Sequence, residues 1–186
     1  MRHTLEPPFE HVRVLDSIAE LQPDDRGQIV VCGSHGGQSA ADYALAHPPS
    51  LVIFNDAGIG KDKAGIVALD LLDAAGICAA AVGHDSARIG DALDTWHSGR
   101  LTHCNRRAER IGCRPGDTVP ASVQHALALQ RYRLCRMDDN GNRFVVMRAL
   151  SREQADSERA RFESLGHKQT YWIEPEAPAD MSSDSQ

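Results

Sequence analysis

Aromatic residues are scarce in this chain, at 5% of 186, so its core must be built from Ala, Val, Ile and Leu. No apolar stretch approaches the roughly 18–20 residues that span a bilayer. The opening Met1-Arg2-His3-Thr4-Leu5-Glu6-Pro7-Pro8 lacks the apolar centre of a secretory signal. No membrane association is expected. Basic charge is in deficit, with 20 Lys+Arg against 26 Asp+Glu and a formal net charge of -6. General nucleic-acid binding needs cations to displace counterions from phosphates, so it is not expected either, although a local anion site is compatible with the balance. The five cysteines (Cys32, Cys78, Cys104, Cys113, Cys135) are odd in number and form no Cys-x-x-Cys pair. A reduced, cytoplasmic protein with free thiols is the expectation.

Several motifs that would name a chemistry are also missing. No Gly-x-Gly-x-x-Gly fingerprint is present, and Gly60-Lys61 is followed by Asp62 where a phosphate-binding P-loop needs Ser or Thr. Ser34 is flanked by Cys32 and Gly36, which does not complete the Gly-x-Ser-x-Gly elbow of α/β-hydrolases. No His-x-x-x-His pair occurs.

What the chain does have is a recurring pattern. Three apolar runs each end in a burst of small and reactive residues: Ile29–Val31 into Cys32-Gly33-Ser34-His35-Gly36-Gly37, Leu51–Phe54 into Asn55-Asp56-Ala57-Gly58, and Ala79–Val82 into Gly83-His84-Asp85-Ser86. The runs are apolar at consecutive positions, as strands covered on both faces should be. Segments of helical composition alternate with them, over 38–47, 61–75, 89–97 and 101–111. The pattern predicts an α/β fold with three layers, helix–sheet–helix, around a mostly parallel sheet of Rossmann-like or flavodoxin-like type. Residues 1–27 read as a lead-in, with a short strand or helix between His11 and Leu21, and 28–130 as the core domain. From 131 to 173 a β-hairpin, a helix and a strand form an extension, with Asp138-Asp139-Asn140-Gly141-Asn142 as the hairpin turn and Ser151-Arg152-Glu153-Gln154 as a capping box. Residues 174–186 read as a disordered tail.

Parallel sheets bind ligands outside the carboxyl ends of their strands, so the three bursts should converge on one crevice. In the first, Gly33, Gly36 and Gly37 would let backbone N–H groups approach an anion at a helix N-terminus, with Ser34 or Cys32 as a nucleophile and His35 as a proton carrier. In the second, Asp56 is a candidate general base, Asn55 an orienting group, and Lys61 a counter-charge. In the third, His84 is the best-placed acid–base group, with Asp85 or Asp91 to orient it and Ser86 and Arg88 to hold a carboxylate or phosphate. Asn105 is a further candidate to reach the crevice, while His103 beside it reads as a surface residue. The plainer alternative for each burst is turn and cap chemistry: Ser34, Asp85 or Ser86 capping helices and Arg88 pairing with Asp91.

His35, Asp56, His84 and Asp85 could together ligate a divalent metal, but no cofactor is required. The functional expectation is an enzyme using acid–base chemistry of the hydrolase, lyase or isomerase kind on a small polar, anionic metabolite. The alternatives are a non-catalytic phosphate- or nucleotide-binding regulatory module and an oligomeric structural subunit; homo-oligomerisation is compatible with all three.

Overall fold

A computed structural model describes residues 1–166 and 169–176. The chain divides into two compact units, Met1–Leu127 and Ala128–Gln186. In the first unit, β1 (Arg2–His3), β2 (Arg13–Leu15), β3 (Ile29–His35), β4 (Leu51–Asn55), β5 (Cys78–Val82) and β6 (Leu101–Cys104) form one sheet in that spatial order. β2 to β5 are mutually parallel, and β1 and β6 run antiparallel at the two edges.

Consecutive apolar residues serve both faces of the sheet. Ile29, Val31, Leu51, Ile53, Ala80 and Val82 pack on one side with Ala92 and Trp96 of α3 (Ala92–Ser98) and Val119 and Val123 of α5 (Val119–Leu129). Val30, Cys32, Val52, Phe54, Ala79 and Ala81 pack on the other with α1 (Gln38–Ala46) and α2 (Val67–Ala74). This is the expected α/β architecture with helices on both faces. The order of the parallel strands follows the chain without reversal, so crossovers of one hand place α1 and α2 on the same face. The opening that a reversed order creates between oppositely directed crossovers is not built here.

Three of the expected helices differ in extent. The segment 61–75 becomes a 3₁₀ turn, Lys61–Lys63, followed by α2, because Asp62 and Lys63 adopt left-handed φ of 55° and 59°. The segment 89–97 begins its helix only at Ala92, capped by Asp91. The segment 101–111 is a strand, β6, followed by a five-residue helix, α4 (Arg106–Arg110), with Asn105 as the N-cap between them.

In the second unit, β7 (Tyr132–Met137) lies between β8 (Arg143–Leu150) and β9 (Thr170–Pro175) in an antiparallel sheet. Asp138 closes the hairpin by accepting from the N–H groups of Asn140 and Asn142. Ser151 and Gln154 form the capping box of α6 (Arg152–Ser164), which stacks Phe162 on Tyr171. β9 runs two residues past the expected end at 173, and most of the tail read as disordered, 177–186, lies outside the described residues.

Candidate functional site

Strand register brings the three bursts to one end of the sheet. His35 pairs with Asn55 across β3 and β4, and Asn55 pairs with Val82 across β4 and β5. Adjacent strands lie about 4.8 Å apart, so the three strand ends span about 10 Å. Asp56 continues the ladder, its N–H donating to Val82 O at 2.8 Å.

Asp56 is the hub of what assembles there. Its carboxylate is buried, and Oδ1 accepts from Gly58 N–H at 2.9 Å, from His84 N–H at 3.0 Å and from His84 Nδ1 at 3.0 Å. Oδ2 accepts from the Thr102 hydroxyl at 3.0 Å. Burial pushes this carboxyl's pKa up, but the combined donors outweigh it and hold the group below its ordinary range. An ionised carboxylate only accepts, so in the neutral ring Nδ1 of His84 carries the proton and Nε2 presents its lone pair. The His84 side chain is 56% exposed, with Gly58 packed beneath the ring.

Thr102 and His103 arrive from β6. Because β6 is antiparallel to β5, its first residues, not its last, lie at this end of the sheet. Thr102 Oγ1 is within 3.3 Å of Ala81 O and 3.0 Å of His103 Nδ1. Neither residue was a sequence candidate, since their segment reads as helix and His103 as a surface side chain. The local signal that points to them is Asn105 before Arg106-Arg107-Ala108, an N-cap that ends one element and starts another.

The loop after β4, which starts at this hub, carries several left-handed residues. Ala57, Ile59, Asp62 and Lys63 have φ of 50–66°, a region that is costly for side chains other than glycine's and concentrates at functional sites. Lys61 lies exposed in the 3₁₀ turn. His35 is exposed, and its ring covers Gly37, the N-cap of α1.

The remaining sequence candidates have structural roles. Gly33 is required by a close approach: a Cβ there would stand 2.6 Å from Asp91 N and Gly90 C. Gly36 donates its N–H to Asn55 O and accepts from Ala68 N–H, so its amide is committed. Ser34 Oγ accepts from Ile18 N–H at 2.9 Å, and among the described residues no histidine or carboxylate stands within hydrogen-bonding distance to activate it. Cys32 is fully buried on the α1–α2 face, where burial pushes its thiol up to about 12. The geometry therefore supports neither as a nucleophile.

Asn55 is also fully buried, spanning Ala87 O and Ala57 N–H. Asn105 braces Ala79, Ile77, Leu69 and Ala108 at the beginning of β5, the opposite end of the sheet. Ser86 donates to Gly83 O and accepts from Arg100 N–H. Arg88 is exposed with its guanidinium 3.9 Å from Asp91. Asp85 is exposed, and the group that orients His84 is Asp56, not Asp85 or Asp91.

Among the described residues no group of three or more His, Cys, Asp or Glu side chains is arranged to hold a metal ion, and no helix is long and apolar enough to cross a membrane. No family model, curated protein or solved structure matches the chain.

Proposed function

We propose that the chain is an enzyme that moves protons on a small polar, anionic substrate, with His84 as the general acid–base group. The observation that carries this reading is the 3.0 Å contact between His84 Nδ1 and the buried, ionised Asp56. A carboxylate so placed selects the tautomer with Nε2 free and stabilises the imidazolium that forms when Nε2 takes a proton. It needs no protonation of its own. His35, Lys61 and the N-terminal amides of α1 are the groups on hand for negative charge on the substrate. Hydrolysis, elimination and isomerisation all use such a base.

Turnover of a panel of carboxylic esters, phosphate monoesters, amides and hydroxy acids by the wild type and by His84→Gln tests the reading. General acid–base catalysis contributes on the order of 10²–10⁴ in rate. A loss of that size in kcat is expected, with an unchanged thermal unfolding midpoint. Unchanged turnover in the variant would remove His84 from the chemistry. Ligand binding without turnover, with affinity that survives His84→Ala, would replace the enzyme by a binding module.

A further inference from the structure

Asp56 serves two histidines, not one. On one side His84 reaches Oδ1 directly, and on the other His103 reaches Oδ2 through the hydroxyl of Thr102. Thr102 has a single proton and three polar neighbours: Asp56 Oδ2 at 3.0 Å, His103 Nδ1 at 3.0 Å and Ala81 O at 3.3 Å. If that proton pointed to His103 or to Ala81, the Thr102 oxygen and an ionised carboxylate oxygen would face each other with no hydrogen between them. Directing it to Asp56 removes the repulsion. Thr102 Oγ1 is then an acceptor toward His103, whose Nδ1 must supply the hydrogen.

We propose that Thr102 and His103 are positioning residues of a two-armed proton relay, in which the one buried carboxylate of Asp56 holds both His84 and His103 as Nδ1–H tautomers with both Nε2 atoms unprotonated. Free neutral imidazole side chains favour the opposite tautomer, so the arrangement is an imposed state and can be read as one. Its catalytic meaning rests on the acid–base reading above, because a relay has a use only where protons are exchanged; the tautomers themselves do not depend on it.

The charged surroundings leave Asp56 as the group that decides. Toward the strand ends Asp56 accepts from Thr102, and the Asp85 carboxylate and the Thr102 methyl both lie beside Gly83. On β5 the partner of His103 is Ala81, which carries no charge. From α4 and the segment after it, Glu109, Arg114 and Asp117 act on the neighbouring Cys104.

Ring nitrogen chemical shifts separate the two neutral tautomers. The experiment is a two-bond proton–nitrogen correlation spectrum of the full chain, recorded at a pH where the rings are neutral, with His103→Gln and His84→Gln supplying the assignments. In the wild type both rings should show protonated Nδ1. Thr102→Val should move the His103 proton to Nε2 and leave His84 as it was, Thr102→Ser should restore the wild-type pattern, and Asp56→Ala, which removes both oxygens, should release both rings. An Nε2–H tautomer for His103 in the wild type overturns the proposal, and so does a His103 ring that Thr102→Val leaves unchanged. Should Thr102→Val fail to fold, the wild-type and Thr102→Ser spectra still decide. A correct pair of tautomers together with unimpaired turnover in His84→Gln would keep the imposed tautomers and remove His84 from the chemistry.

Discussion

Asp25 and Asp56 are both buried carboxylates of the larger unit, at 1% and 4% exposure, and both are held ionised by quite different company. Asp25 receives Arg2 through both oxygens, at 2.7 and 2.9 Å, and Gln22 N–H at 2.9 Å. Arg13 Nε stands 2.9 Å from Oδ1 as an ion pair, at an angle that does not make a hydrogen bond. Asp56 receives two backbone amides, a hydroxyl and an imidazole, none with a permanent charge. In each case burial raises the pKa and the donors more than reverse it. The first carboxylate is consumed by guanidinium groups that never give up a proton, so it can only clasp β1 and β2 to the segment that leads into β3. The second keeps its negative charge available for a cation that forms and disappears on His84. Partner chemistry, not burial, separates a brace from a working group.

The contrast can be broken at its stronger end first. Asp25→Ala leaves two arginines without their counter-ion under the lead-in, and breaking such a pair costs about 3–5 kcal/mol. Because the Arg2 and Arg13 side chains are about one-third exposed, a loss of about 3 kcal/mol in urea unfolding is expected. Asp56→Asn should cost less, about 1 kcal/mol, because an amide can still accept at Oδ1 and can donate to Thr102, which then turns to Ala81 O. Equal losses at the two sites would erase the distinction.

A smaller effect lies in the pH dependence. Both folded-state pKa values are depressed, so the stabilisation from these groups is complete above the unfolded aspartate value of about 3.9 and is lost as pH falls through the folded values. Asp25→Asn should therefore flatten the fall in stability below about pH 4, measured by urea midpoints, and leave the pH 5–7 region parallel to the wild type.

The central strands were legible because each is covered on both faces. Nothing else explains four adjacent apolar residues such as Leu51-Val52-Ile53-Phe54 between polar segments. β2 was legible only as a short strand or helix between His11 and Leu21, since Arg13 sits within its three residues and its pairing with β3 is non-local. β6 merged with α4 because Leu101-Thr102-His103-Cys104 has no period of its own and a helical composition follows.

Within the site, Asp56 and His84 could be chosen because they follow buried strands directly. Their partnership could not, because it depends on the register of β4 and β5. Asn55 and Asn105 show the opposite error. Each has the composition of a ligand contact, yet each spends its amide on backbone groups from segments 26 or more residues away, apart from one local turn or cap. Thr102 and His103 were hidden by direction: in an antiparallel edge strand the residues near the site come first, and a search of strand carboxyl ends passes over them.

The order of the strands also bears on how the chain is made. Each strand from β2 to β6 pairs with the one synthesised just before it, so the sheet can grow in step with elongation, with no gap kept open for a later segment. Asp56 and His84 emerge before the strand that carries Thr102 and His103. The topology thus permits a nascent chain with one arm of the hydrogen-bonded cluster in place and its carboxylate still open on the other side, completed when the final edge strand docks.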